Sequence, residues 1–580
     1  MDTLRYYFVT WNVATRSPGQ DLNSLLDFPS QFNKNKPLPD FYVIGLQEVK
    51  SMPQNMLMDT LFTDPWTSAF NKILCRCGFI IAKSIRLQGI LLLVYTQIKH
   101  ITHLRDIEAQ YTKTGLGGMW GNKGAVSVRF NMYGCSVCLV NSHLTAHEHL
   151  LAERVADYNA IVRQHVYHVR ETSNILYHDY VFWVGDLNFR TDHPAGEGPT
   201  SEEIVAKLGA VEKDKYEELL QHDQLIAVMD SGEAFSEFVE PDIRFPPTYK
   251  FILGTDEYDV KRKPSWTDRI LYKVVANNYE NVTLKAEPLS YTHLPHYTVS
   301  DHKPVVAQYT IKVYNPRRAR SQIVLPTSGY PSSISFHSAS ADFMDGTVDD
   351  EPPRIARSAI RFRSTALVMP DGEGEEGEEG GEVLDGVVEE GEGVGEDDEA
   401  FSNYTDKTVE FAPISDVWYI GDADFRIQCT LSRDVEVNPN DWIGIYDADF
   451  HNLDDYIVYE YLAKVCQSPS AAEAGRARHI TLSFPVGSGV RTPGFYRFIY
   501  FSQPNSDVRS VLGISEPFEA SSKDDKLVAI DPCEQACSSG SPLPHRSSKP
   551  STAHTDIFTD FTGLDVANLS RHFSNDLSID

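Results

Sequence analysis

The chain has 580 residues, an ordinary apolar fraction of 41% and a formal net charge of −30. This length is too great for one hydrophobic core and predicts two or three domains. The charge is uneven, because residues 371–400 hold fifteen Asp and Glu without Lys or Arg, whereas residues 1–315 hold 31 basic and 36 acidic side chains. Such a balance argues against nonspecific binding to long nucleic acid.

Residues 1–315 alternate strand-like and helical stretches. The strand-like runs are Arg5–Val13, Phe41–Leu46, Ile90–Tyr95, Ala125–Phe130, Ser136–Ser142, Tyr180–Val184 and Arg269–Val274. The amphipathic stretch Glu148–Thr172 predicts a helix between two of these strands. The alternation indicates a layered α/β domain, in which ligands collect at strand ends.

The pattern of strands and helices is lost between about 316 and 403. Residues 354–363 place Ile and Phe among Arg, and the Glu/Gly run of 371–400 follows. A Glu/Gly tract buries too little apolar surface to offset its chain entropy, so we expect a disordered linker, first basic and then acidic. The basic stretch has two further interpretations, which are contact with an anionic membrane and return onto the acidic run.

Strand character returns over residues 404–520. The runs are Trp418–Ile420, Phe425–Leu431, Trp442–Tyr446, Ile480–Phe484 and Phe495–Phe501. Short alternating strands separated by turns predict a β-sandwich of immunoglobulin-like type. Residues 521–580 are rich in Ser, Pro and Asp, and we expect a disordered tail.

Export and membrane insertion are not predicted. The first residues lack a basic stretch followed by a long apolar one. The longest apolar run, 89–95, is far shorter than the roughly 20 residues of a spanning helix. Eight Cys give no disulfide scaffold, and the C-terminal Leu-Ser-Ile-Asp is no prenylation signal. We therefore expect a soluble intracellular protein.

Two polar side chains at predicted strand ends are candidate ligands of a metal ion. Glu48 follows the strand 41–46, and Asn12 lies at the end of the first strand. Either residue alone is also typical of a turn or a helix cap. Further polar groups with the same placement favour a hard cation such as Mg²⁺, which binds few protein oxygens and keeps waters for a substrate phosphate. These groups are Asp186, Asn188, Asp268, Asp301 and His302.

The run Trp-Val-Gly-Asp-Leu-Asn-Phe-Arg (183–190) places Asp186 and Asn188 just beyond a strand. If the backbone stays extended, both side chains project to the same side. Asp186 would then act as the base and Asn188 as the amide that positions an attacking water. The alternative is an Asx turn after the strand.

Two histidines are candidates for handling a phosphoryl group. His302 lies in the run 300–305, directly after Asp301. A protonated imidazole stabilises charge on a phosphoryl oxygen, and a carboxylate behind it keeps it charged, for which Asp268 is the expected partner. His143 ends another strand and is a further donor to the phosphate. A structural histidine with satisfied hydrogen bonds is the alternative there.

Basic and polar residues near these runs are candidates for binding the substrate. They are Asn122, Lys123, Tyr249, Lys250, Lys261, Arg262 and Lys263. A basic triplet is commonly a solvated face, but beside this site it suits a substrate with more than one phosphate. The Gly-rich stretch 115–124 lacks the Walker spacing, and we expect a flexible loop that brings Asn122 and Lys123 near the pocket.

These runs resemble the motifs of the inositol polyphosphate 5-phosphatase family. The two signature motifs correspond to 183–190 and 264–271, and the resemblance extends over about residues 4–314. The other blocks follow in the order of the family, at 11–13, 44–48, 121–126, 141–144, 245–250 and 300–305. Thr267 stands where many members have Cys, although the members that this chain most resembles carry Thr.

The resemblance implies a four-layer α/β sandwich of the DNase I/AP-endonuclease type and Mg²⁺-dependent removal of the 5-phosphate from inositol rings. It assigns the metal to Glu48, with Asn12 nearby. It assigns the water to Asp186 and Asn188, and stabilisation of the phosphoryl group to His302 with Asp268. Tyr249, Lys250 and the cluster 261–263 would hold a neighbouring ring phosphate, and the match is weakest in that cluster.

Runs 441–446, 496–501 and 511–515 look like a SKICH domain, which only some members of the family carry. SKICH domains are taken to direct such enzymes to membranes. The resemblance therefore implies a cytoplasmic monomer that is peripheral at the plasma membrane or the endoplasmic reticulum. It also allows protein partners at the SKICH-like region.

The sequence thus predicts four segments, namely a catalytic domain (1–315), a linker (316–403), a SKICH-like sandwich (404–520) and a tail (521–580). The expected main substrate is PtdIns(4,5)P2, with PtdIns(3,4,5)P3 and soluble inositol polyphosphates as alternatives. A nuclease of the same metal-dependent superfamily is a second interpretation, which the acidic balance and the 261–263 cluster disfavour. An inactive membrane adaptor is the third.

Overall fold

The computed structural model describes residues 2–28, 37–50, 64–115, 120–192, 198–210, 215–275, 284–313, 408–465, 477–487 and 489–522. The predicted linker and all but the first two residues of the predicted tail lie outside these ranges. None of the helices in the described ranges has both the length and the apolar character that crossing a bilayer requires.

Six strands form the first sheet of the N-terminal region. They are β1 (Asp2–Asn12), β2 (Phe41–Gln47), β3 (Phe79–Leu87), β4 (Ile90–Gln97), β10 (Ala286–His293) and β11 (Val305–Val313). Their order across the sheet is β10-β11-β1-β2-β4-β3. All seven residues of β2 are buried, as the continuous apolar run of a central strand predicts. β1 and β2 run parallel with Asn12 opposite Gln47, so their polar ends emerge at the same edge.

Five strands form the second sheet. They are β5 (Leu104–Thr114), β6 (Trp120–Met132), β7 (Cys135–His143), β8 (Tyr180–Asp186) and β9 (Asp268–Val274), in this order across the sheet. β7 and β8 are parallel with His143 opposite Asp186, and antiparallel β9 places Asp268 opposite Asp186. Three candidate residues therefore share one line across the edge of this sheet.

The two sheets pack face to face with helices outside them. The helices are α1 (Pro65–Leu74), α2 (Leu151–Gln164), α3 (Ser201–Gly209), α4 (Lys215–Leu220) and α5 (Gln224–Ser231), with 3₁₀ turns at 75–77, 98–103, 170–172 and 175–177. The apolar face of α1 covers the outer face of the first sheet. α2 and α5 cover that of the second. The predicted four-layer α/β sandwich is confirmed.

The predicted helix Glu148–Thr172 is too long, because α2 ends at Gln164. His165, the next residue, is buried and forms hydrogen bonds with Thr112 (2.9 Å) and Ser127 (2.6 Å). Val166 then forms a β-bridge with Asn174. Side-chain hydrogen bonds with the second sheet outweigh helical propensity there, and an amphipathic pattern alone does not reveal such a partner.

The two sheets approach each other closely at Gly45 of β2. A Cβ atom built on this glycine would lie 2.7 Å from Cγ2 of Val184 and 2.9 Å from Cγ of Asn141, both in the second sheet. Real side chains essentially never tolerate such distances. Gly45 therefore fixes a narrow separation of the sheets a few residues below their polar edges.

The C-terminal region is a β-sandwich, as predicted. One sheet contains β12 (Val409–Phe411), β14 (Phe425–Leu431) and β17 (Arg478–Phe484). The other contains β13 (Trp418–Tyr419), β15 (Trp442–Asp447), β16 (Val458–Tyr461), β18 (Gly494–Ser502), β19 (Ser510–Ile514) and β20 (Phe518–Ser521). Alternate residues of β14, which are Ile427, Cys429 and Leu431, point into a core of its own. We call residues 409–521 the β domain.

Candidate active site

Asp186, at the end of β8 in the second sheet, is surrounded by side chains that can donate hydrogen bonds. Its Oδ2 atom lies 2.9 Å from Nδ2 of Asn12, which donates to it, 3.3 Å from Nε2 of His143 and 3.9 Å from Nε2 of His302. Asp186 is fully buried. Burial alone would raise its pKa, but His143, His302 and Lys123 lower the pKa below the usual range. Asp186 is therefore a carboxylate at neutral pH.

His302 lies between two carboxylates. Its Nδ1 atom is 2.9 Å from Oδ2 of Asp268, while its Nε2 atom faces Asp186. Burial would lower the pKa of His302, but Asp268 and Asp186 raise it to about 9. The imidazole is therefore protonated at neutral pH. The Asp268 contact keeps it charged and fixes its orientation, as the sequence predicted.

The two carboxylate oxygens of Asp268 differ in their hydrogen bonds. Oδ2 accepts hydrogen bonds from the hydroxyls of Thr248 (2.7 Å) and Thr267 (2.9 Å) as well as facing His302. Oδ1 is buried and accepts no hydrogen bond from the described residues. Thr267, at the position where many family members have Cys, thus donates directly to the oxygen of Asp268 that faces His302.

Asn188 does not have the extended backbone that the sequence analysis assumed. Its φ is +58°, in the left-handed region that Asn tolerates better than most residues. Its backbone N–H donates to Oδ1 of Asp186 (3.1 Å), and its side-chain Nδ2 donates to the carbonyl of Leu144 (3.0 Å). The run is therefore an Asx-type turn, which was the stated alternative, and the turn itself brings Asn188 to the site.

Two arginines near the site were assigned no role from the sequence. Arg190 donates to Oδ1 of Asn188 (2.7 Å), and its guanidinium lies 4.6 Å from the centre of the Tyr249 ring. Buried Arg154 donates to Oε1 of Gln224 (2.6 Å), which also accepts from the backbone N–H of Arg190 (3.1 Å). The arginine in the 183–190 motif was the only sequence signal for this network.

Tyr249 links this arginine to the charged histidine. Its ring lies 4.5 Å from the ring of His302, so the phenol packs between Arg190 and His302. Its neighbour Lys250 forms an ion pair with Asp301 (2.8 Å). Burial would raise the pKa of Asp301, but His302 and Lys250 lower it. The structure thus places Asp301 against Lys250, outside the buried group of Asp186, Asp268 and His302.

Lys123 and Glu48 reach the same site from different sheets, Lys123 from β6 of the second sheet and Glu48 from the end of β2 in the first. The amine of Lys123 contacts Nε2 of His143, and burial lowers the pKa of this lysine to about 8. Glu48 directly follows β2, is half-buried and has a φ of +55°. Its carboxylate is close enough to raise the pKa values of both Lys123 and His143. Burial nevertheless leaves the pKa of His143 below its ordinary value.

The remaining predicted substrate-binding residues are more exposed. Lys261 and Arg262 are exposed, while Lys263 is half-buried and forms an ion pair with Asp192 (2.7 Å). Asn122 is exposed at the start of β6, so residues 120–124 of the predicted Gly-rich loop are strand. Gly124 in this strand has a φ of +140°, which favours glycine.

The donor set suits a hard cation. The pKa of His302 is raised, so this protonated ring offers no lone pair to a metal. The groups left for a ligand role are mainly oxygens. They are the carboxylates of Glu48 and Asp186, the buried Oδ1 of Asp268 that accepts no hydrogen bond from the described residues, and the second lone pair of Oδ1 of Asn12, whose first accepts from the backbone N–H of Ala14 (3.0 Å). Oxygen donors with few carboxylates are the set that Mg²⁺ prefers.

Comparison with known proteins agrees with this geometry. The model of "Endonuclease/Exonuclease/phosphatase family 2" matches residues 9–308, and the SKICH domain model matches residues 409–520. Phosphatidylinositol 4,5-bisphosphate 5-phosphatase A of Mus musculus is 39% identical over 318 residues, which are 53% of this chain and 31% of that protein. Inositol polyphosphate 5-phosphatase K of Mus musculus is 36% identical over 329 residues, which are 54% of this chain and 67% of that protein.

One solved structure with a similar chain is that of the inositol polyphosphate 5-phosphatase domain of SPsynaptojanin in complex with inositol (1,4)-bisphosphate and calcium ion. It is 32% identical, with a TM-score of 0.45, over 56% of this chain and 88% of that one.

Buried carboxylates and a charged imidazole at the edge of a four-layer α/β sandwich are typical of metal-dependent phosphoesterases. The chain belongs to the endonuclease/exonuclease/phosphatase family and, within it, to the inositol polyphosphate 5-phosphatases that carry a SKICH domain. The predicted family is therefore confirmed. The match spans about a third of the length of the first relative.

Proposed function

We propose that the protein is a Mg²⁺-dependent phosphomonoesterase that removes the 5-phosphate from phosphoinositides, chiefly PtdIns(4,5)P2. PtdIns(3,4,5)P3 and soluble inositol polyphosphates would be further substrates of the same site. The observation that carries the proposal is His302 held protonated between Asp268 and Asp186 at the strand ends. The relatives named above, whose names describe such activities, support it.

The proposed chemistry divides between a base and a charge stabiliser. Asp186 stays ionised and takes a proton from the attacking water, and the amide of Asn188 and the turn that it forms position that water. The imidazolium of His302 donates to a phosphoryl oxygen as negative charge develops there. His143 and Lys123, which contact each other beside Asp186, are further donors to the same phosphate.

Glu48 and Asn12 would hold the metal, as the family resemblance implies. Bound there, Mg²⁺ supplies Lewis-acid stabilisation of the phosphoryl oxygens. Asn12 also donates a hydrogen bond to Asp186 and thereby orients this proposed base toward the space that metal and substrate would share. Glu48 and Asn12 come from the parallel strands β2 and β1, so one sheet would bind the metal and the other would direct the water.

Recognition of a second phosphate is assigned to the basic side. Lys250, which is paired with Asp301, and Tyr249, which packs on His302, would lie next to the reacting phosphate. Lys261 and Arg262 are exposed and available to a neighbouring ring phosphate. The lipid would be met at a membrane surface by a cytoplasmic monomer, with protein partners at the β domain.

Phosphate release from a panel of substrates tests the proposal. We expect release from short-chain PtdIns(4,5)P2, loss of release with EDTA and recovery with added Mg²⁺. The product should co-elute with a PtdIns(4)P standard and not with its isomer PtdIns(5)P in chromatography. Asp242→Asn, at an exposed carboxylate, is the matched control for Asp186→Asn. Cleavage of nicked or abasic DNA instead would favour a nuclease. Absence of turnover on every substrate would favour an adaptor.

A further inference from the structure

Two edge strands of the catalytic region carry β-bulges. The register of β3 against β4 shifts between Ile81 and Lys83, and the register of β5 against β6 shifts between Arg105 and Glu108. β3 and β5 are the terminal strands of their sheets. Each bulged edge therefore presents backbone N–H and C=O groups that its own sheet does not use.

A loop of the β domain pairs with the bulge of β3. The backbone N–H of Ile81 donates to the carbonyl of His451 (2.8 Å), and the N–H of Leu453 donates to the carbonyl of Ile81 (3.1 Å). Lys83, at the bulge, forms an ion pair with Asp454 of the same loop (3.6 Å). Both free backbone groups of Ile81 are thus satisfied from the β domain.

A second segment of the β domain pairs with the bulge of β5. Ile107 and Arg509 exchange two backbone hydrogen bonds, Ile107 N–H to Arg509 C=O (2.8 Å) and Arg509 N–H to Ile107 C=O (3.2 Å). The N–H of Asp106, whose φ is +50°, donates to Oγ of Ser510 (2.8 Å). Arg509 also forms an ion pair with Asp454 (2.6 Å), so one network joins both contacts.

Apolar burial accompanies these hydrogen bonds. Leu453 is fully buried and Phe450 almost so, yet both lie outside the β domain's own core. They belong instead to the cluster between the two catalytic sheets, together with Ile80, Ala82 and Ile107. If the β domain were undocked, these apolar side chains would be exposed to water, which costs free energy, and the bulged edges would lose their hydrogen bonds with the β domain.

The contact lies at the end of the sandwich away from the candidate active site. In the second sheet Lys113 lies opposite Gly124, which lies opposite His143, so Ile107 is six residues, or about 20 Å, from the polar edge. In the first sheet Ile81 is level with Tyr42, at the beginning of β2, whereas Glu48 follows its end.

We propose that the β domain is a fixed structural part of the catalytic unit, whose docking site is the pair of bulged strands β3 and β5. The partner that fits this surface is the SKICH-like domain of the same chain, which stabilises the α/β sandwich from the end opposite the active site. It takes no part in the chemistry, and the surfaces it offers to other molecules do not adjoin the reacting phosphate.

Hydrogen exchange on the full-length chain tests the proposal. In the wild type we expect the peptides that span β3 and the beginning of β5 to be protected, although both are edge strands. Leu453→Asp should speed exchange in both peptides at least about tenfold. Because the β domain docks as one body, the faster exchange should also appear in β5, although the loop that contains Leu453 does not pair with β5.

Val486→Asp is the matched control, since Val486 is an exposed apolar residue of the same domain. It should leave both peptides protected. Lys83→Glu places a like charge opposite Asp454 at a position outside the hydrophobic cores. It should speed exchange in the same peptides by a smaller factor, and it replaces Leu453→Asp as the test if that variant does not fold. Fast exchange of both strands in the wild type, or protection unchanged in Leu453→Asp and in Lys83→Glu, would overturn the proposal.

Discussion

Buried aspartates occur in both the catalytic region and the β domain, but their surroundings differ. Asp441 of the β domain is fully buried and accepts hydrogen bonds from the backbone N–H groups of Asn438 (3.0 Å) and Gln503 (2.8 Å) and from the hydroxyl of Tyr500 (3.0 Å). Asp186 is equally buried, but histidines and a lysine surround it, and Asp268 keeps one oxygen without a hydrogen bond from the described residues.

The difference distinguishes an aspartate that stabilises the fold from one that is available for chemistry. Neutral donors that pair with both carboxylate oxygens give stability and leave little for a ligand. Titratable neighbours and an unused oxygen leave capacity for a ligand and shift pKa values. The two surroundings predict opposite consequences for Asp→Asn substitutions, which keep the shape of the side chain. At Asp186 the loss should be in turnover, and at Asp441 it should be in stability.

Asp186→Asn should abolish turnover and leave the protein folded. The amide cannot take a proton from water, so kcat should fall by at least about 10³-fold. Thermal unfolding should shift little. Steady-state kinetics beside calorimetry check both parts, and a variant that keeps more than a tenth or so of its kcat would contradict the role of Asp186 as a base.

Asp268→Asn should lower kcat/KM by about 10²-fold and change its pH dependence. Asp268 is the main group that raises the pKa of His302 to about 9, and the protonated ring is the proposed active form. Wild-type activity should therefore fall as the pH rises through about 9. In the variant the fall should begin at lower pH. Rates from about pH 6 to about pH 10 measure the shift, and an unchanged alkaline limb would show that His302 does not limit it.

Asp441→Asn should do the reverse of Asp186→Asn. The new NH₂ group faces N–H donors, so the free energy of unfolding of the β domain should fall by about 2 kcal/mol. kcat should stay at the wild-type value at temperatures where the variant is folded, because Asp441 touches no residue of the active site. Denaturant unfolding followed by tryptophan fluorescence measures the loss, and a drop in kcat without one would contradict the structural role.

The double substitution Lys261→Ala, Arg262→Ala should have the smallest effect. Both side chains are exposed, so their contribution to binding is screened by salt. We expect KM for PtdIns(4,5)P2 to rise about threefold at low ionic strength with kcat unchanged. A substrate that carries only the 5-phosphate is the control, and an equal rise in its KM would mean that the pair does not hold a neighbouring phosphate.

The sequence predicted seven of the eleven strands in the described part of the catalytic domain, because buried strands of a layered α/β fold read as continuous apolar runs. β3, β5, β10 and β11 were not among the runs it named. The seven predicted strands all appear, with ends moved by a few residues. The polar ends of β1, β2, β7 and β8 were therefore visible as candidate residues. Which of them meet depends on strand order, and the sequence motifs supplied this only through resemblance to a family.

Local backbone geometry and distant partners were beyond the sequence. Asn188 reaches the site through a left-handed turn rather than an extended strand. Arg190 was visible in the motif, but its packing on Tyr249 joins segments that are far apart in the chain. The docking of the β domain depends on bulges at Ile81 and Ile107, and a bulge leaves no mark in an apolar pattern.

The glycine at position 45 sets how far apart the two halves of the proposed chemistry stand. Glu48 lies three residues after Gly45, just beyond the end of β2. The nearest neighbours of Gly45 across the interface, Val184 and Asn141, each lie two residues before a candidate active-site residue, Asp186 or His143. Even one added methyl group at this position would push the strand proposed to bind the metal away from the strand proposed to direct the water. Tolerance to mutation at this buried, chemically inert position should therefore be governed by catalysis as much as by folding.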